Sequence, residues 1–210
     1  MIVTELRLPR RLFVLAALAT APLASAQAQM QAASPQAAAA FIQNAGSELA
    51  RVVSGAETAA EKRQRLLPFL DRTVDVDGIA RFCLGRYWQA ATPEQRGEYL
   101  RLFRVVLANG VAGRLGDYQE GTTSVTTGRP DVREDGIYVP TTVKRGDNPP
   151  NKVTWLVIRG NDGGFRIADV AAEGVSLRLT QRNDYASFLS RHGGDVSALI
   201  RAMATQVAQR

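Results

Sequence analysis

The sequence predicts an α+β fold: a curved antiparallel sheet of about four strands with helices packed on its concave face. Apolar residues recur at helical spacing as far as Val111, and after Tyr118 the period drops to two. The strand-like runs that follow are joined by Asn-, Pro- and Gly-rich turns too short for a crossover helix, so neighbouring strands must run antiparallel. At 210 residues and 45% apolar content, the chain supports one well-buried core and not two ordinary domains.

The chain opens on Arg7, Arg10 and Arg11, an apolar stretch from Leu12 to Leu23, and the small residues Ala24-Ser25-Ala26. This order reads as a Sec-type signal peptide over 1–26, with Ala26-Gln27-Ala28 as an alternative cut. The apolar stretch falls short of the roughly 20 residues that span a bilayer, and no cysteine follows it to carry a lipid anchor. A leader rich in Ala and Gln, mobile after processing, covers 27–34, and a single domain fills 35–208.

Phe41, Ala45, Leu49 and Val52 mark a first helix, and Leu66, Leu67, Phe69, Leu70 and Val74 a second beyond the Ser54-Gly55 break. A short third element covers 76–88. Thr92-Pro93-Glu94-Gln95 then announces a long helix, because Thr92 can cap, Pro93 suits the first helical position and Gln95 completes a capping box. Its stripe is Tyr99, Leu102, Phe103, Val106, Leu107 and Val111, which leaves Arg96, Arg101 and Arg104 pointing to solvent. Gly110, Gly113 and Gly116 are expected to break its end.

Strands follow over 122–127, 137–144, 152–159 and 165–170, with turns at Asn148-Pro149-Pro150-Asn151 and Asn161-Asp162-Gly163-Gly164. Pro140 argues for an edge strand or a bulge. Helices over 184–191 and 196–207 close the chain.

The formal charge is +6. Loss of the three arginines and one glutamate of the signal peptide leaves +4, which in an exported chain suits anionic headgroups or acidic partner surfaces rather than nucleic acid. Cys83 stands alone, so no internal disulfide forms, and its apolar neighbours mark it as a small buried hydrophobe. His192, before Gly193-Gly194, fits a helix terminus and has no companions for a zinc site. No nucleophile elbow, P-loop, dinucleotide fingerprint or C-x-x-C occurs. Asp169 is the one strand-end carboxylate placed for acid/base work, and no metal or cofactor is expected.

Five strings stand in a shared order: LLPF at 66–69, LGRYWQAATPEQ at 84–95, IYVPTTV at 137–143, NPP at 148–150 and DVAAEGVSL at 169–177. Together they resemble the MlaC, or toluene-tolerance auxiliary, family of periplasmic phospholipid-binding proteins over about residues 35–205. Phe165 stands where the family commonly has Trp. The resemblance implies an NTF2-like or cystatin-like α+β fold, with no catalysis. It further implies a monomeric shuttle between an outer-membrane lipoprotein complex and an inner-membrane ABC transporter with an MCE-domain subunit, serving outer-membrane lipid asymmetry. Alternatives are a carrier of another lipid such as a hopanoid, an NTF2-like enzyme, or an adaptor that binds only proteins.

Given a pocket between sheet and helices, as the resemblance implies, strand alternation and the long helix's stripe select its wall: Phe103, Leu107, Val139, Val143, Trp155, Val157, Ile167 and Val175. Each is equally suited to an ordinary core. Lys152, which opens a strand after the NPP turn, is placed to meet a lipid phosphate at the mouth. Arg96, Arg101 and Arg104 are the residues expected to guide docking onto acidic partners.

Overall fold

The computed structural model describes residues 34–54, 58–114 and 123–209. The expected signal peptide and leader lie outside these residues, apart from Ser34. Ser34 caps α1 (Pro35–Val53), its hydroxyl accepting from the Ala37 amide at 3.1 Å. α2 (Ala59–Thr73) starts on a capping box between Thr58 and Glu61, seven residues ahead of the apolar marks that predict it. The short third element divides at Gly85, whose φ of 58° ends α3 (Val76–Leu84) before the single turn α4 (Tyr87–Ala90).

α5 (Pro93–Arg114) begins as the sequence requires. The Thr92 amide donates to Gln95 Oε1 at 2.9 Å, and the Gln95 amide to Thr92 Oγ1 at 3.2 Å. It is not broken at Gly110 or Gly113, because Ala108 and Ala112 bury their faces in the helical core and hold that turn in place. Gly116 lies outside the described residues.

Among the described residues the sheet has six strands, against an expected number of about four. β1 (Thr123–Thr127), β3 (Gly136–Arg145), β4 (Asn151–Arg159), β5 (Phe165–Ala172) and β6 (Val175–Ser176) lie in that order, and β2 (Asp131–Arg133) pairs with β3 beyond the end of β1. All pairings are antiparallel. β2 and β6 escape prediction because two or three residues are too few to show a period. Pro140 is in an interior strand. It falls in the gap between the β1 and β2 pairings, where its carbonyl accepts from the Gly128 amide at 2.8 Å, and on that side its missing N–H costs no ladder bond. The bulge lies elsewhere, at the Leu156/Val157 register shift against β5.

α6 (Leu177–Arg191) starts seven residues before its predicted position, because Leu177 and Leu179 are exposed and leave its first turns without an apolar stripe. α7 (Val196–Ala208) follows its prediction closely. Among the described residues no helix is long and apolar enough to cross a membrane.

The core is divided. One cluster fills the space among the helices, with Leu66, Tyr99, Leu102, Phe103, Leu189 and Met203 at its centre. The other lies between α1 and the sheet, where Ala38 and Ile42 cover Val139, Val157 and Ile167. Val74, between α2 and α3, packs on both. Its neighbour Asp75 donates its amide to the Ile167 carbonyl at 2.9 Å, which fixes the helical layer to β5.

Gly136 holds a φ of 147°, and a Cβ there would stand 2.7 Å from the Val157 carbonyl and 2.8 Å from Leu156 Cδ1. Gly136→Ala should cost roughly 1–3 kcal/mol of stability, read as a lower urea midpoint. An unchanged midpoint would contradict this close approach of β3 to β4.

Candidate functional site

Register places five of the predicted wall residues on one face of the sheet. Val139 pairs with Trp155, Ile137 with Val157, Val157 with Ile167, and Val143 with Asn151 on one side and Val125 on the other. Residues alternate along each strand, so Val139, Val143, Trp155, Val157 and Ile167 share this face. The bulge adds to it. Ala168 is the extra residue, which brings Ile167 and Val170, three apart, to the same side.

α1 faces this surface with Ala38, Phe41 and Ile42, and the Phe41 and Phe165 rings lie 5.7 Å apart. The sequence shows Phe41 and Ala45 as one stripe. In the fold that stripe divides, with Ala38 and Ile42 on the sheet and Ala45, Leu49 and Val52 on the helical cluster.

Polar atoms at the centre of the face satisfy one another. Trp155 Nε1 donates to Thr141 Oγ1 at 2.9 Å, and that hydroxyl donates to the Val153 carbonyl at 3.1 Å. What the face offers a neighbour is therefore carbon. At the far end of the β1–β3 pair, opposite Val143, Val125 is 53% exposed and forms an apolar rim.

Three predicted residues fall elsewhere. Phe103 and Leu107 belong to the helical cluster, where the Phe103 ring packs 5.8 Å from Tyr99 and 6.5 Å from Tyr185. Val175 is 59% exposed on the two-residue edge strand β6, so it lines no enclosed wall. Strand parity alone cannot show that a strand lies at the edge. Lys152 is exposed as expected, and its backbone amide donates to Glu173 Oε1 at 2.6 Å.

Of the arginines of α5, Arg101 points to solvent as expected, whereas Arg96 and Arg104 are partly covered. Arg96 is half-buried and donates to the Trp88 and Gln89 carbonyls, Arg101 pairs with Glu98, and Arg104 lies between Asp71 and Asp77 at 2.9 and 3.2 Å. Carboxylates on α2 and α3 and carbonyls of α4 reach this face, and a single-helix projection cannot see them.

Asp169 is committed to structure. Its oxygens accept from the Val170 amide, the Arg178 amide and the Ser176 hydroxyl, at 2.8, 3.1 and 2.5 Å, while the Arg178 guanidinium lies 3.5 Å away. This pins the β5–β6–α6 corner and leaves little of the carboxylate for proton transfer. His192 caps α6, its Nδ1 against the Phe188 carbonyl and its ring stacked on Phe188 at 4.1 Å. Two surface clefts, of about 410 and 450 Å³, lie between α6 and α7 and at the α2–α3 junction, away from the apolar face of the sheet. That face is closed by α1.

The model of one protein family, MlaC protein, matches residues 42–205. The toluene tolerance protein ttg2D of Pseudomonas putida is 25% identical over 142 residues, covering 67% of this chain, and the match spans 65% of that protein's length. A crystal structure of a phospholipid-binding protein from Ralstonia solanacearum, solved with a phospholipid, superposes with a TM-score of 0.68. It is 22% identical and covers 81% of this chain and 97% of its own, a likeness of fold.

Cys83 is buried beneath the Asp169 corner, where its Sγ meets the Arg178 carbonyl at 3.5 Å. Desolvation, followed by the Asp169 charge, pushes its thiol up from 9.0 to about 12. The folded state therefore holds this proton more tightly than the unfolded one. The stability so gained is complete below pH 9 and is lost as pH rises from 9 toward 12. At pH 8 a disulfide reagent such as DTNB should label native Cys83 at least about a thousandfold more slowly than the urea-unfolded chain. Rapid labelling in native buffer would show that the corner opens locally.

Proposed function

The chain belongs to the MlaC family, and on that premise we propose that it is a phospholipid carrier that holds acyl chains between the apolar face of the sheet and α1. The observation that carries this reading is the divided core. A face made of Val139, Trp155, Val157, Ile167 and Val170 is covered by one helix, its cluster meets the helical core at Val74, and its central polar atoms are already satisfied. Acyl chains can replace α1's side chains there without stranding a hydrogen bond.

Magnitudes favour exchange over release. Burying methylene groups contributes about 0.8 kcal/mol each, so two acyl tails are worth roughly 20 kcal/mol against water. Uncovering Ile42, Val139, Val157 and Ile167 costs roughly 1.5–3 kcal/mol per side chain, which the tails outweigh. Moving tails from a bilayer into an equally apolar slot is close to neutral. The carrier thus loads and unloads at apolar surfaces and does not lose its cargo in transit.

In this reading the N-terminal segment directs export to the periplasm. There the carrier runs between an outer-membrane lipoprotein complex and an inner-membrane ABC transporter with an MCE-domain subunit, and serves outer-membrane lipid asymmetry. The Ralstonia relative, a phospholipid-binding protein solved with a phospholipid, supports the cargo.

Native mass spectrometry of the chain purified without added lipid should show one bound phospholipid. Joining Phe41→Cys to Phe165→Cys with a short cleavable bis-maleimide should close the slot, reduce lipid uptake at least tenfold and restore it on cleavage. Full uptake by the bridged protein would place the cargo elsewhere, and a chain that never carries lipid would overturn the carrier itself.

A further inference from the structure

Halfway along α1 stands a glycine that the packing does not call for. A Cβ on Gly46 would meet nothing within 4 Å, and its φ is not positive, so neither a close approach nor a left-handed backbone requires it. A glycine inside a helix weakens it relative to alanine, and Gly/Ser pairs are among the places where helices bend. Ser47 follows Gly46. Its hydroxyl donates to the Gln43 carbonyl at 3.1 Å, the same carbonyl that its own amide takes in a regular helix. When the backbone opens at this turn, the Gln43 carbonyl therefore keeps a donor.

The pair also sits where α1 changes its neighbours. Before it, Ala38, Phe41 and Ile42 lie on the sheet, while Ala45, Leu49 and Val52 belong to the helical cluster. The two halves are anchored differently. Glu48 pairs with Arg72 and ties the C-terminal half to α2, whereas the N-terminal half has aliphatic contacts, the Phe41–Phe165 ring pair and one exposed bond from Gln43 to Thr127. A bend between the halves uncovers the sheet and leaves the helical core closed.

We propose, resting on the carrier reading above, that Gly46 and Ser47 form a hinge about which residues 35–44 swing off the apolar face of the sheet to admit acyl chains, while residues 48–53 stay fixed. Gly97 supplies the comparison. It too has nothing within 4 Å of a Cβ, but its helix, α5, packs along the helical cluster alone.

The test uses the full chain, the stiffened variant Gly46→Ala/Ser47→Ala and the control Gly97→Ala. Both variants should raise the urea midpoint, and all three proteins should carry one phospholipid by native mass spectrometry. Transfer of pyrene-labelled phosphatidylglycerol between vesicles of phosphatidylethanolamine and phosphatidylglycerol at 3:1 should slow at least about fivefold in the stiffened variant and stay unchanged in the control. Spin labels read the motion itself, with one at exposed Thr142→Cys on β3 and the other on α1 at Ala40→Cys or Ala50→Cys. Loading with phospholipid should lengthen the 40–142 distance as a narrow population and leave the 50–142 distance unchanged. Equal transfer rates, a control slowed as much as the stiffened variant, two distances that lengthen together, or a 40–142 distribution smeared by local unfolding would each overturn the hinge and leave lipid carriage standing. A wild-type chain that holds no lipid would overturn the carrier reading and the hinge with it.

Discussion

A sheet face whose central polar atoms are satisfied from within must be covered by carbon, and the rest of the structure follows from how that is done. Trp155, Thr141 and Val153 close their hydrogen bonds among themselves, and the side chains around them are aliphatic or aromatic. α1 supplies the cover. Because it runs on to place Ala45, Leu49 and Val52 in the helical cluster, one helix joins the two halves of the core.

The two halves are held with unequal firmness. Tyr99, Phe103 and Tyr185 pack as an aromatic trio, Tyr99 donates its hydroxyl to the Ala80 carbonyl at 2.8 Å, and the Asp169 corner fixes α6 to β5. Burial pushes the Tyr99 and Tyr185 phenols well above their ordinary range, so they stay neutral. Between α1 and the sheet the contacts are aliphatic, together with the Phe41–Phe165 pair and one exposed Gln43–Thr127 hydrogen bond at the margin. Contacts of that kind can be exchanged for other carbon at little cost, whereas those of the helical half cannot. In the proposed reading the slot and its scaffold are thereby separated within one fold.

Much of this is legible in the sequence because its signals are local. The Thr92–Gln95 box, the hairpin turns and the parity of Val139, Val143, Trp155, Val157 and Ile167 are properties of neighbouring residues, and they appear in the fold as the chain spells them. The features that sequence reasoning misses depend on pairing across the chain. Val175 is exposed because no described strand pairs beyond β6, and Arg104 is held because Asp71 and Asp77 come from other helices. Pro140 sits inside the sheet because two short strands leave a gap opposite it. Phe103 has the right spacing for a pocket wall, but the aromatic neighbours that absorb it, Tyr99 aside, are far away in sequence.

The central claim is that acyl chains occupy the seam between α1 and the sheet. It is tested most directly by nuclear Overhauser contacts between isotope-labelled phospholipid tails and assigned methyl groups in the loaded protein. The account predicts contacts from the tail methylenes to Ile42, Val139, Val157 and Ile167, and none to Leu189 or Met203. Contacts to the helical-core methyls, with Ile42 still packed on Val157, would contradict it.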